Sequence, residues 1–460
     1  MEEAEMLELY EVDYWDLVRF SSTNDSTSPP EKLESMTRTI METLGPKGPG
    51  LLAVTGVPNA SKLRKELLPL ARKLALLNHE DRKRILKEHN LGSDVPLKNP
   101  DRGVSSFAMK LNYVKAPGTA ESKPSPTEDN QLSSEEDHPG VDRITRDHHD
   151  EEFKNLGNTF KELGFCMMEL GLSLARMCDR AIGGQELERS LLESCTAKGR
   201  LIHYHSALDG LLLKEAERRN RTTKRQANST RDHTWSMRNG KTPSAASKLY
   251  ESSARDRLCG IHFNLWQQWH YDYGIFTVLT APLFVLPSHS PATQTKYPFL
   301  VSSDVEWSPP SGHTYLQIYD PNIKDVLMVK VSPESFVIQV GESADIISKG
   351  KLRSTLHSVC RPAALENLSR ETFVVFLQPA WSKTFCVSDY PQKDIFLNGQ
   401  VLMPSDEEAH LGQDKYKLSQ EIQKVVPPLS SRLKDGMTFA EFSRETTKQY
   451  YGGAGLQSNK

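Results

Sequence analysis

Trp269-His270-Tyr271-Asp272-Tyr273-Gly274 is the stretch on which the reading of this chain turns. In an extended strand side chains alternate, so residues 270 and 272 face one side and Tyr271 the other. An imidazole beside a carboxylate makes two of the three donors of a 2-His-1-carboxylate site, which suits non-haem Fe(II) and leaves coordination positions open. Phe276-Thr277-Val278-Leu279-Thr280 and Leu283-Phe284-Val285-Leu286 follow directly and read as strands, and Gly274 permits a sharp bend. With 14 His in the chain, a chance His-x-Asp is expected, and alone His270 reads as a core histidine. Two further His-x-Asp stretches, His79-Glu80-Asp81 and His148-His149-Asp150, lie in charged, helix-like sequence. Residues two apart on a helix do not share a face, so neither pair chelates one ion from a regular helix.

The downstream sequence changes the weighting of His270. Lys349-Gly350-Lys351-Leu352-Arg353-Ser354-Thr355-Leu356-His357 reads as a turn and then a strand ending in His, a third donor. Arg370-Glu371-Thr372 opens another strand, Phe373-Val374-Val375-Phe376-Leu377, closed by Pro379. In this ordered set the chain resembles the Fe(II)/2-oxoglutarate-dependent oxygenases, specifically their isopenicillin N synthase-like, plant-type branch. The matching pieces are His270-x-Asp272, the Gly274-Ile275-Phe276-Thr277 that follows, distal His357, and Arg370-x-Thr372. Gln339–Gly350 resembles the strand-turn-strand before the distal His, and Thr55-Gly56-Val57-Pro58 keeps part of an N-terminal strand ending. Arg200-Leu201-Ile202-His203-Tyr204-His205 departs from the resemblance. The family usually has Asn-x-Tyr there, facing the co-substrate, and which of Tyr204 and His205 points inward is open.

The resemblance implies an α+β chain with a mainly β core, a double-stranded β-helix (jelly roll) flanked by N-terminal and C-terminal helices. It implies Fe(II) held by His270, Asp272 and His357, with 2-oxoglutarate and O2 as co-substrates and ascorbate as an optional addition. Burying an unpaired carboxylate costs several kcal/mol. The far carboxylate of 2-oxoglutarate therefore calls for a cation, supplied by the planar fork of Arg370 with the Thr372 hydroxyl on the same side. Tyr204 or His205 offers a further hydrogen bond. No catalytic side chain beyond the metal ligands is implied. Two alternatives stand beside this reading: a 2-oxoglutarate-independent Fe(II) oxidase of the same fold, and a non-catalytic jelly-roll protein that binds a carboxylate or a partner chain. The substrate is a small molecule of open identity, and hydroxylation and desaturation are equally open.

Composition is that of a soluble protein, with 37% hydrophobic and 25% charged residues over 460 positions. No apolar run approaches the roughly 18 residues of a membrane span. A net charge of -3 gives no general attraction to nucleic acid. The N-terminus has neither a signal-peptide nor a transit-peptide pattern. The 6 Cys form no CxxC pair, which suits reduced thiols and a cytoplasmic setting. Three regions are expected. Residues 1–199 form an N-terminal helical and mixed region with an acidic, solvated loop at 116–146. Residues 200–390 form the oxygenase core, carrying a basic insertion at 208–257. Residues 391–460 form a C-terminal helical extension, with helices at Met403–Val425 and Thr438–Tyr451. The run Arg218–Arg225 also fits a nuclear address or a phosphate-binding patch. Helices are predicted over Asn59–Lys87 and Asp150–Met177 from apolar residues three and four apart. Strands are predicted at Leu51–Pro58, Ile275–Leu286, Thr314–Tyr319, Val326–Val331 and Ser335–Val340.

Overall fold

The computed structural model describes residues 5–22, 30–112, 150–229, 265–287, 304–309, 312–362, 365–388, 390, 420–422 and 424–451. The acidic loop at 116–146, His148, His149, the 288–297 loop and most of the helix expected at Met403–Val425 lie outside the described residues. The strands in chain order are β1 Met6–Glu8, β2 Glu11–Asp13, β3 Leu51–Thr55, β4 Gly92–Ser93, β5 Val104–Asn112, β6 Thr196–Tyr204, β7 Leu265–His270 and β8 Phe276–Thr280. They continue with β9 Leu283–Pro287, β10 Asp304–Trp307, β11 His313–Asp320, β12 Asp325–Lys330, β13 Phe336–Val340, β14 His357–Cys360 and β15 Ser369–Leu377.

These strands make two sheets. The smaller runs β1-β12-β11-β14-β7, and the larger runs β2-β3-β13-β8-β15-β6-β5-β4, with β9 also pairing β15 and β10 pairing β9. From β6 onward the chain passes back and forth between them: β6, β8, β13 and β15 lie in the large sheet, and β7, β11, β12 and β14 in the small one. That crossing pattern is a double-stranded β-helix, as expected from the sequence. Residues before 199 also contribute strands to both sheets, and β6 runs across the 199/200 boundary.

Side-chain alternation builds two cores from the same strands. Ile202, Val337 and Val374 point between the sheets, against Trp266, Leu316, Ile318 and Val359. Their neighbours Leu201, Phe336, Ile338, Phe373 and Val375 point outward, onto the N-terminal helices. The predicted Asp150–Met177 helix is observed as Leu156–Ile182, and Phe160, Leu163, Met167, Leu170 and Leu174 on its apolar stripe are fully buried. Phe160 meets Phe373 of β15 edge-on at 4.7 Å between ring centroids. Each such burial contributes roughly 1.5–3 kcal/mol, which holds the large sheet rigid behind the interior.

The helix expected over Asn59–Lys87 is three helices: Ala60–Leu67, Pro69–Leu76 and His79–Glu88. Pro69 has no N–H to continue the first, and the Asn78 side chain accepts from the Asp81 N–H at 2.9 Å to start the third. The basic region expected as a solvated insertion begins as an ordered helix, Ala207–Ser229, on which Arg218 and Arg219 are exposed. The distal-histidine strand begins at His357, where the sequence suggests that it ends. Gly274 does not adopt a positive φ; a Cβ on it would stand 2.7 Å from the Leu377 carbonyl oxygen, so close approach explains the glycine better than a bend. Among the described residues no helix is long and apolar enough to cross a membrane.

Candidate metal centre

His270 ends β7, and Asp272 lies two residues beyond it. His357 opens β14 directly opposite His270 in an antiparallel pairing. One donor atom from each of His270, Asp272 and His357 falls within 4.8 Å of the others. Nε2 of His270 is 3.8 Å from Asp272 Oδ1, and Nε2 of His357 is 3.8 Å from Asp272 Oδ2.

The other ring nitrogens are anchored. His270 Nδ1 donates to the Gln268 carbonyl at 2.8 Å, and His357 Nδ1 to the Thr355 carbonyl at 3.0 Å. Those bonds place the protons on Nδ1 and leave both Nε2 atoms as acceptors near Asp272, where the Gln267 and Gln339 amides contact them at 2.9 and 3.2 Å. The carboxylate is held by Thr277 Oγ1 and by the Gln339 amide, each 2.7 Å from Oδ2. The backbone N–H of Glu342 donates to the Asp272 carbonyl at 2.8 Å. Beside it Gly341 passes so close that a Cβ there would be 2.3 Å from the Gly274 carbonyl oxygen. Burial, followed by the proximity of His357, lowers the His270 pKa to about 4, so the imidazole is neutral at pH 7. Burial works to raise the Asp272 pKa, but His357 and His270 outweigh it and hold the carboxyl ionised. Two imidazole nitrogens and one carboxylate oxygen are a donor set that fits Fe(II).

Arg370 lies in β15 opposite Tyr204 of β6. Its guanidinium sits over the Tyr204 ring at 5.2 Å, and Nε donates to the Thr314 carbonyl at 2.9 Å. Arg370 is 3% exposed, and among the described residues no carboxylate lies within ion-pairing distance of it. Burial lowers its pKa and outweighs the opposing influence of Tyr204, Cys360 and Glu371. The Tyr204 hydroxyl donates to Gln267 Oε1 at 2.8 Å, and the Gln267 amide donates to His270 Nε2 at 2.9 Å. A hydrogen-bonded path therefore runs from the ring under Arg370 to the candidate ligand His270. Thr372 is buried two residues on, with its hydroxyl 3.4 Å from the Thr280 carbonyl.

Of Tyr204 and His205, between which the sequence does not choose, Tyr204 faces the interior and His205 does not. His205 follows the last residue of β6 and turns to the outer side of the large sheet, where Nε2 contacts Ser105 Oγ at 2.9 Å and the ring lies 4.3 Å from that of His203. Strand alternation explains the split: Tyr204 faces the interior with Arg370, whereas His203 faces outward with Glu371.

A cavity of about 290 Å³ opens beside His270 and Asp272. Its walls include Tyr271, Tyr273 and Phe376, the ion-paired Asp94, Lys198 and Arg200, and Thr446, Thr447 and Tyr450 of the Phe439–Tyr451 helix. That helix is fastened by Arg432, whose guanidinium pairs with Glu342 at 2.5 Å and donates to Thr446 at 3.0 Å. Thr277 belongs to the Gly274-to-Thr277 piece of the motif, whereas the roles of Gln267 and Gln339 are revealed only by their places in the fold.

No known family profile matches the chain, and no curated protein matches it in sequence. Among solved structures, a full-length Neurospora crassa protein in complex with alpha-KG and thymine is similar, at 14% identity over 84% of this chain and 89% of that chain with a TM-score of 0.45. JOX2 in complex with 2OG, Fe and JA is similar at 12% identity over 96% of this chain and 86% of that chain, TM-score 0.45. The rice dioxygenase for auxin oxidation is similar at 14% identity over 83% of this chain and 89% of that chain, TM-score 0.45. Each is a distant likeness and identifies neither activity nor substrate for this chain.

Proposed function

We propose that this chain is a non-haem Fe(II)- and 2-oxoglutarate-dependent dioxygenase that oxidises a small molecule bound in the cavity beside His270. The ordered motifs favour the isopenicillin N synthase-like branch. One observation carries the reading. His270 and Asp272 of a 2-His-1-carboxylate cluster border the cavity, and Arg370, buried over the Tyr204 ring, makes no ion pair among the described residues.

His270, Asp272 and His357 are the residues that would hold Fe(II). Bound there, Fe(II) with 2-oxoglutarate and O2 supplies oxidative decarboxylation to succinate and CO2 and the oxidising power for a substrate C–H bond. The chain's own contribution is position and electrostatics. The Gln268 and Thr355 carbonyls fix both imidazoles in the ligating tautomer. Thr277 and Gln339 fix the carboxylate. Arg370 receives the far carboxylate of the keto acid in a dry interior, where a planar guanidinium pairs strongly. Tyr204 supports the guanidinium with its ring, and Thr372 offers a hydroxyl on the same interior side. The aromatic walls and the Phe439–Tyr451 helix limit water around the reacting bond.

Succinate release from 2-oxoglutarate, dependent on added Fe(II), tests this directly. Release that is absent from His357→Ala and strongly reduced in Arg370→Met is the expected result. Iron uptake with no succinate would favour the 2-oxoglutarate-independent oxidase, in which Arg370 takes a substrate carboxylate. No iron uptake would leave a binding protein.

A further inference from the structure

His203, His205 and Asp209 form a second 2-His-1-carboxylate cluster, with one donor atom of each within 4.8 Å of the others. It sits on the outer side of the large sheet, behind the Tyr204–Arg370 pair. All three residues are buried, at 0%, 3% and 0% exposure, and none borders the cavity beside His270.

Each histidine has one ring nitrogen held and one without a hydrogen-bond partner. His203 Nδ1 donates to the Glu371 carboxylate at 2.8 Å, and His203 Nε2 has no hydrogen bond. His205 Nε2 is engaged by Ser105 Oγ, which leaves Nδ1 with none. A buried nitrogen without a partner costs about 1–3 kcal/mol, and here two occur on adjacent rings. His203 Nε2 is 3.4 Å from Asp209 Oδ2. That separation matches the roughly 3.3–3.4 Å edge of a tetrahedron whose bonds are the ~2.0–2.1 Å of zinc to nitrogen or oxygen. The Glu371–His203 contact is also the carboxylate–histidine arrangement that orients a ligating imidazole from behind.

Asp209 pairs with Arg72 at 2.9 Å, and, against the effect of burial, Glu371 and Asp209 flank His203 from either side and raise its pKa, so a proton on His203 is the competitor that a metal must displace. That proton leaves His205 Nδ1 unsatisfied. A divalent cation engages both nitrogens and the carboxylate together. Asp209 Oδ2 also accepts from the Ser206 N–H at 2.9 Å and the Ser206 hydroxyl at 2.7 Å, a capping box at the start of the Ala207–Ser229 helix.

We propose that His203, His205 and Asp209 form a buried, three-donor site for a divalent metal, with zinc, which takes nitrogen and oxygen donors at these separations, as the ion tested. The ion ties β6 to the Ala207–Ser229 helix and, through Glu371, to β15, at the register position where Tyr204 and Arg370 face inward. The site stands on its own residues and does not depend on the dioxygenase reading.

The test uses full-length protein carrying His270→Ala and His357→Ala, so that the cavity-side site is removed. After growth with zinc and dialysis, elemental analysis should find close to one zinc per chain, and adding His205→Ala should lose it. X-ray absorption on the zinc-loaded double variant should show imidazole scattering, a readout that stands even if the triple variant fails to fold. Three results would each overturn the site: no zinc above background in the folded double variant, zinc unchanged by His205→Ala, or bound zinc without imidazole scattering. The first would mean that the cluster holds a proton only.

Discussion

His270 and His357 face each other as a cross-strand pair, with ring centroids 4.2 Å apart and each Nδ1 bound to a carbonyl of its own chain segment. The imidazoles are therefore oriented before any ion arrives. His357→Ala should abolish iron binding at this site while circular dichroism and cooperative unfolding persist, because the apolar cores do not depend on the ring. Global unfolding of His357→Ala would make the residue structural.

Arg370 offers a sharper test because its structural and binding roles predict opposite signs. A buried cation without an anion is a cost to the unliganded fold, and an apolar isostere is often neutral or stabilising. Arg370→Met should leave the melting temperature of the unliganded protein unchanged or raised. It should also weaken 2-oxoglutarate binding by roughly 2–5 kcal/mol, the usual loss when one member of a buried charge pair is removed. Thermal shift with and without 2-oxoglutarate reads both. A large drop in the unliganded melting temperature with intact ligand binding would contradict the assignment.

The Glu342–Arg432 pair is buried on both sides, with side chains 3% and 1% exposed. It fastens the Phe439–Tyr451 helix next to the loop that carries Asp272. Arg432→Met should cost about 3–5 kcal/mol, because it leaves Glu342 charged and unpaired. Adding Glu342→Gln should recover much of that loss. Chemical denaturation of the two single variants and the double variant checks this, and additive losses would show that the two residues act independently.

Asp345 supplies a pH signature. Burial raises its pKa to about 6 from 3.8, although it accepts from Ser354 N–H at 3.0 Å and Tyr390 Oη at 2.8 Å. A carboxyl whose folded pKa is raised contributes stability that is fully present below 3.8 and lost as pH rises through about 6. Asp345→Asn removes that dependence. The stability difference between variant and wild type should move in the variant's favour across this window and stay flat above it. Urea denaturation at several pH values measures it, and a flat difference throughout would contradict a raised pKa.

The candidate cluster His270, Asp272 and His357, together with Arg370 and the jelly roll, is legible through the ordered set of motifs that resembles the oxygenase family, since a lone His-x-Asp is common. His205 is not, since a single step along β6 reverses the facing of a side chain, and only the pairing of Tyr204 with Arg370 fixes the phase. Gln267 and Gln339 are invisible as sequence because glutamine is common and their role depends on strands brought together from afar. The Val104–Asn112 strand carries little signal of its own: Ser105, Ser106, Lys110 and Asn112 dilute its apolar residues, and its pairing with β6 decides its conformation. The long helix predicted over Asn59–Lys87 runs through Pro69 because the leucine stripe continues across the break.

The most direct test of the central claim is the visible absorption of the protein titrated anaerobically with Fe(II) in the presence of 2-oxoglutarate. The weak charge-transfer band of a chelated keto acid should appear, saturate at one iron per chain, and vanish in Asp272→Ala while surviving in His205→Ala. Iron binding without the band, or a band that persists in Asp272→Ala, would show that His270, Asp272 and His357 do not form the iron site.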